Sequence, residues 1–487
     1  MDTTTLTQET DLSFQRAIDI LDALRVGSLS RVQLVEQTYA RVAHINPSVN
    51  AICTLLPIEQ VIGQAQHYDA MQQRGEPLPV LAGIPMAIKD LAETRGIRTT
   101  RGSLLFADYI PEHDCLMVER LKNAGVIVIG KTNTPELGAG SHTFNELFGA
   151  TANPYNLALS AGGSSGGAAA ALASGMLCLA DGSDLGGSLR NPAAFCNVVG
   201  LRPTMGRVPN WPQKFTRFSR MAVEGPMART VEDCALLLNV MAGADSRDPR
   251  SLLPALNVNN LSEDYIRSEQ PRIGLSTQPA GLPVDSTIVS TVEKAAASLE
   301  DHGALIEVVM LNELRGSMAV FESVRSSAWA MIAGELLTQH PTTMKTTLAN
   351  NIRQGLALSS ADIYRAEIER TRISADIDRL FTSYDYFITP TTQVMPFPIE
   401  IEYPLEIAGQ AMSNYLEWMS SCCIWSPFDV PCLSLPAGFD DSGLPVGMQI
   451  IGRPGDDAGV LRLAYAIQQT APHWRCKPRL TATPCKP

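Results

Sequence analysis

Three short stretches of this 487-residue chain hold basic or nucleophilic side chains in settings that could support catalysis. Lys89 closes the apolar run GIPMAIKD, Ser164 and Ser165 sit inside GGSSGG (162–167), and Ser188 sits in DLGGSLR (184–190). Burial destabilises an ammonium and can lower a lysine pKa by up to about 3–5 units, so Lys89 could offer a neutral amine as a base. At the end of a strand the same lysine could instead snorkel to the surface. Around Ser188, paired glycines let the main-chain N–H groups of Leu185, Gly186, Gly187 and Ser188 converge on one point. A tetrahedral oxyanion needs such a ring of donors.

The first glycine cluster admits other readings, a plain surface loop among them. Gly162 and Gly167 have the G-x-x-x-x-G spacing of a phosphate loop, but Ala168 stands where that motif needs lysine. Gly162–Gly166 also satisfies G-x-S-x-G, the nucleophile elbow of α/β-hydrolases, which would make Ser164 the nucleophile. An elbow needs a preceding strand, and TANPYNLALSA carries Pro154 and two asparagines. It also needs a later histidine, for which His302, His340 and His473 are the candidates. A non-catalytic reading treats both clusters as a binding scaffold.

The elements that must position these residues are alternating helices and apolar strands. Near the N-terminus, Phe14, Ala17, Ile18, Leu21 and Leu24 keep helical spacing, and Ser30 with Gln33 forms an S-x-x-Q capping box for a second helix. Asp114 is expected to cap a helix that Gly125 ends before VIVIG, and Asp285–His302 with Gly303 repeats the unit before ALIEVVM. Further strands are expected at MAIK (86–89), RIGL (272–275), YFIT (386–389), CLSLPAG (432–438) and VGMQIIG (446–452). The reading is an α/β fold, with a large mixed, mostly parallel central sheet, helices on both faces and a helical N-terminal segment. One domain over residues 1–487 is expected: a helical part at 1–80, a catalytic core at 81–240 and the rest of the sheet and substrate pocket at 241–487. Residues 209–221 and the tail from Cys476 read as looser segments.

Taken together, the motifs resemble the amidase signature family of serine hydrolases. The matching stretches are GIPMAIKD, GKTNTPELG (130–138), FGATANPYN (148–156), AGGSSGGAAAALASG (161–175), GSDLGGSLRNPAAFCNVVGLRPTMGRVP (182–209), EGPMARTVED (224–233) and PAGFDDSGLPVGMQIIGRP (436–454). The resemblance implies a Ser-cisSer-Lys triad, with Ser188 as nucleophile, Ser164 as the bridging residue after a cis peptide from Gly163, and Lys89 as base. It implies an oxyanion hole from the Leu185, Gly186, Gly187 and Ser188 N–H groups, with Ser165, Asp184 and Arg190 orienting the relay. Leu185 and Leu189 depart from the family's commoner residues without touching the triad. The implied activity is hydrolysis of a carboxylic amide, extending to aryl esters, carbamates or ureas; the alternative is the glutamine-hydrolysing subunit of a tRNA-dependent amidotransferase. Trp211, Phe215 and Phe218 in PNWPQKFTRFSRM (209–221) are candidates for a lid over an acyl or aryl pocket, with an ordinary loop as the competing reading.

Composition narrows the partners. The formal charge of -12, with no basic run, argues against nucleic acid. The seven histidines lack metal-ligand spacing, so no metal or other cofactor is expected. The N-terminus has neither a basic nor an apolar signal region, and Ala168–Ala180 is too short to span a bilayer, so a cytoplasmic protein away from membranes is expected. The ten cysteines lack C-x-x-C and read mostly as small buried hydrophobes. A small amide or carbamate is the expected partner, and the sequence admits a homodimer.

Overall fold

The computed structural model describes residues 11–213, 221–251 and 256–480. Strands β1 (Ile52–Leu55), β2 (Pro85–Lys89) and β3 (Ile127–Thr132) form one sheet in the order β1-β3-β2. A second sheet holds β4 (Leu179–Asp184), β5 (Val199–Arg202), β6 (Val223–Ala228), β7 (Arg272–Leu275), β8 (Leu305–Val308), β9 (Tyr386–Pro390), β10 (Cys432–Phe439) and β11 (Pro445–Ile451). Its order is β8-β7-β9-β11-β10-β5-β6-β4. Every strand expected from an apolar run is present.

The eight-stranded sheet is mixed, as expected, but it is not mostly parallel. Only β7 pairs in parallel, with β8 and β9; the other five neighbouring pairs are antiparallel. The connections explain the difference. The two helix–strand units legible in the sequence are crossovers: the helix Leu116–Asn123 lies between parallel partners β2 and β3, and Ser286–Glu300 between β7 and β8. By contrast, a tight turn at Asp440–Gly443 joins β10 to β11 and sends the chain straight back.

The N-terminal helices begin at Ala17 and Arg31, and the second carries the Ser30–Gln33 capping box with both reciprocal bonds formed. Asp114 does not cap its helix. Cys115 takes the N-cap without a side-chain bond, and the Asp114 carboxylate instead accepts from Arg95 N and Lys122 Nζ, each at 2.8 Å. The alanine-rich run becomes the helix Gly166–Ala173, buried along its whole length. Two large apolar clusters each draw side chains from before residue 80, from 81–240 and from beyond 241.

β2 lies against β4, the edge strand of the larger sheet, without a main-chain ladder between them. There the Lys89 N–H is accepted by the Asp181 carboxylate, at 3.1 and 3.2 Å. Among the described residues, no helix is long and apolar enough to cross a membrane, and no group of three His, Cys, Asp or Glu side chains could hold a metal.

Candidate active site

Every residue of β2 is buried, and Lys89 at its end is 1% exposed. Its Nζ lies 2.8 Å from both Ser164 Oγ and Ser165 Oγ, 3.1 Å from Ser183 Oγ and 3.4 Å from the Ser183 carbonyl. It does not snorkel. Burial pulls the ammonium down to about 7, against the opposing pull of Asp181, Asp184 and Glu224. A hydroxyl both donates and accepts, so a neutral lysine here can offer its lone pair to one serine and its N–H groups to the others.

The Gly163–Ser164 peptide is cis. The Ser141 hydroxyl donates to the Gly163 carbonyl, and Asn191 Nδ2 donates to Ser141 Oγ at 2.9 Å. Thr143 Oγ1 accepts the Gly166 N–H at 3.1 Å. The two glycine clusters meet directly, because the Ser165 N–H donates to the Ser188 carbonyl at 3.2 Å. Ser188 is partly buried, and its hydroxyl makes no hydrogen bond with the described residues. It is the open end of the group.

Asp184 organises the loop that carries Ser188. Its carboxylate accepts from Gly187 N at 2.8 Å, Leu189 N at 3.1 Å, and Arg190 Nε and Nη2 at 3.0 Å each. Arg202 Nη1 reaches the Asp184 carbonyl at 2.6 Å. Burial alone would raise this carboxyl, but the Arg190 and Arg202 guanidiniums hold it well below the usual carboxylate range. Arg190 then spends its other guanidinium donors on Gln449 Oε1, Ser426 Oγ and the Cys422 carbonyl, tying the loop to β11.

This clamp corrects one sequence expectation. The Gly187 N–H is spent on Asp184, so the Leu185, Gly186 and Ser188 N–H groups are the ones left without an acceptor among the described residues. Gly187 itself has φ +109°, and a side chain there would meet Cys422 Cβ and Asn191 Nδ2 at 2.6 Å.

Trp211 is not brought to this group. Its ring packs on His113 at 5.7 Å, the Arg247 guanidinium lies 5.3 Å from its centroid, and its carbonyl takes the Leu116 N–H. Phe215 and Phe218 lie outside the described residues. His302, His340 and His473 make no bond to Ser164, whose base-side partner is Lys89. His142 is a buried histidine near the cluster, but its ring nitrogens are engaged by Ser160 Oγ at 2.7 Å and the Ile399 carbonyl at 2.9 Å.

Sequence reasoning missed Ser183 and Asp181, both of which touch Lys89. The signal was present: the strand LADGSD alternates, and polar residues two apart leave the same side of a strand. The Ser141–Thr143 segment carried no comparable cue, since its contacts are made across the fold.

Comparison with known proteins places this geometry. A family model described as Amidase matches residues 33–461. The A component of the glutamyl-tRNA(Gln) amidotransferase of Symbiobacterium thermophilum is 36% identical over 93% of this chain and 96% of its own length. Among solved structures, a bacterial aryl acylamidase of the amidase signature enzymes superposes with a TM-score of 0.87 at 29% identity, covering 95% of this chain and 98% of its own. A 6-aminohexanoate cyclic dimer hydrolase superposes with a TM-score of 0.83 at 27% identity, covering 96% and 99%. The chain belongs to the amidase signature family. It is an amidase-type enzyme.

Proposed function

We propose that this protein hydrolyses a carboxylic amide through an acyl-enzyme on Ser188, with Ser164 as the bridging residue and Lys89 as the base. The observation that carries the reading is the 2.8 Å contact between a buried Lys89 Nζ and Ser164 Oγ, in a cluster joined to Ser188 through the Ser165 N–H. Neutral Lys89 takes the Ser164 proton as Ser164 takes that of Ser188, and Ser188 Oγ bonds to the amide carbon. The oxyanion so formed is met by main-chain donors from Leu185, Gly186 and Ser188, each such donor contributing ~3 kcal/mol to transition-state stabilisation. The proton returns along the relay to the nitrogen, the C–N bond breaks, and the amine leaves neutral. Water then enters, gives its proton to the same relay and hydrolyses the Ser188 ester. Ser165, Asp184 and Arg190 hold the two loops in register.

The substrate has two readings. A free-standing amidase, also acting on aryl esters, carbamates or ureas, draws support from the superposition on the aryl acylamidase. The glutamine-hydrolysing component of an amidotransferase draws the stronger support, from 36% identity to a component of an enzyme of that name along nearly the whole chain. Both use the same chemistry at Ser188. Labelling with a serine-directed phosphonate followed by peptide mapping tests that chemistry: the adduct is expected on Ser188, and an adduct on Ser164 would refute the assignment. Turnover of a simple anilide by the purified chain alone favours the first substrate reading, whereas glutaminase activity appearing only with a copurifying partner favours the second.

A further inference from the structure

Asp181 is a buried carboxylate, 1% exposed, that the reaction above does not use. It precedes Ser183 by two residues on β4, and both side chains reach Lys89: Ser183 Oγ contacts Nζ at 3.1 Å, and the Asp181 carboxylate accepts the main-chain N–H at 3.1 and 3.2 Å. A carboxylate thus stands where a neighbouring strand would offer a carbonyl, at the junction of the two sheets. We propose that Asp181 is a positioning residue for the base, pinning the end of β2 to β4 through the Lys89 N–H and supplying a negative charge beside the Lys89 side chain. The inference rests on Lys89 being the base.

The surroundings fit this role. Lys131 on β3 is fully buried and acts on Asp181 electrostatically, as Lys89 does; burial nevertheless raises the Asp181 carboxyl to about 6 against both. The other groups of the neighbourhood are Asp90 after β2, Asp184 at the end of β4, Glu224 on β6 facing Ser183, and the Cys115 thiol, which burial pushes up and keeps neutral. Asp90 is engaged by the Thr100 N–H and hydroxyl, and Asp184 by two arginines. Of the carboxylates that act on Lys89, Asp181 is the one bonded to its main chain and has the largest electrostatic influence. An anion there favours the ammonium, so removing it eases proton loss from Lys89.

The test follows the rate of phosphonate inactivation against pH for the intact chain, with melting temperatures alongside. Asp181→Asn keeps an acceptor for the Lys89 N–H but removes the charge. It is expected to fold, with the acid limb moved to lower pH by ~0.5 unit or more. Asp181→Ala loses the acceptor and is expected to lower the maximal rate by ~10-fold or more, a loss that Asp181→Asn restores. An acid limb in Asp181→Asn at the wild-type position overturns the inference. So does a maximal rate in Asp181→Ala equal to wild type. An acid limb that survives in Lys89→Ala overturns the assignment of the base as well, whereas a limb that vanishes there but stays put in Asp181→Asn overturns only the role of Asp181.

Discussion

Lys89 and Lys131 sit on adjacent parallel strands, each at most 1% exposed, and burial lowers the pKa of both. Their partners differ. Lys131 Nζ donates to the Ala92 carbonyl at 2.7 Å and to Thr94 Oγ1 at 2.8 Å. The Thr94 hydroxyl gives its own proton to the Ala92 carbonyl at 3.0 Å, so both partners accept and Lys131 is held as a donor. Besides the Ser183 carbonyl at 3.4 Å, Lys89 faces three serine hydroxyls, each able to give a proton or take one. Burial therefore loosens the proton on both lysines, and the hydrogen-bonding capacity of the partners decides which of them can serve as a base.

The comparison can be broken by substitution. Lys89→Ala is expected to lower kcat/KM by ~10²–10⁴-fold with the fold intact. Lys131→Met, at equal burial, is expected to cost less than ~10-fold per folded molecule. Steady-state kinetics on variants matched for folded fraction decide it, and equal losses would remove the distinction. Asp184→Asn sharpens a second contrast, between a carboxylate held by two guanidiniums and one held by a main-chain N–H. Leaving Arg190 and Arg202 buried without their anion is expected to cost ~3–5 kcal/mol in urea unfolding.

His142 is a third buried base, fixed between Ser160 Oγ and the Ile399 carbonyl, and burial lowers it to about 4. Its folded value lies below its unfolded one, so the neutral form is favoured on folding. Its contribution is intact above the ordinary histidine value of about 6.5 and is lost as pH falls from there to about 4, an effect of ~3 kcal/mol. Urea midpoints at pH 7 and pH 4.5 should show the fall, and His142→Gln should flatten it.

The smallest expected effect concerns what Lys89 costs the fold. Its folded value of about 7 lies below the ordinary 10.5, so the unfolded chain holds the proton more tightly. The penalty grows as pH drops from 10.5 to about 7 and is complete below that. Lys89→Met should therefore leave stability at pH 7 equal to wild type or ~1–2 kcal/mol higher, while losing activity as Lys89→Ala does. A melting temperature well below wild type would show that Lys89 is structural.

β1, β4, β5 and β6 went unread, because ICTL, LADGSD, VGLR and VEGPMA are short or interrupted by glycine, proline and acidic residues, whereas the other seven strands of the two sheets, β2 with its terminal Lys89 among them, are apolar runs and were legible. Their order was not, because two crossover units were extended to the whole sheet while the DDSG turn between β10 and β11, itself a hairpin signal, was passed over. The residues gathered around Lys89 and Ser188 were legible from glycine spacing and family resemblance. What escaped depends on side chains folding back in space. The engagement of the Gly187 N–H follows from Asp184 turning onto its own loop, and the placing of Trp211 away from the cluster follows from its carbonyl taking the Leu116 N–H at the start of a helix.

The central claim is that Lys89, through Ser164, activates Ser188. The most direct measurement is the single-turnover acylation rate against pH, with the adduct mapped by mass spectrometry. The account predicts an adduct on Ser188 and a rate that rises with pH through about 7, where Lys89 loses its proton, a limb that disappears in Lys89→Ala. An adduct on Ser164, or an unchanged limb in Lys89→Ala, would contradict it.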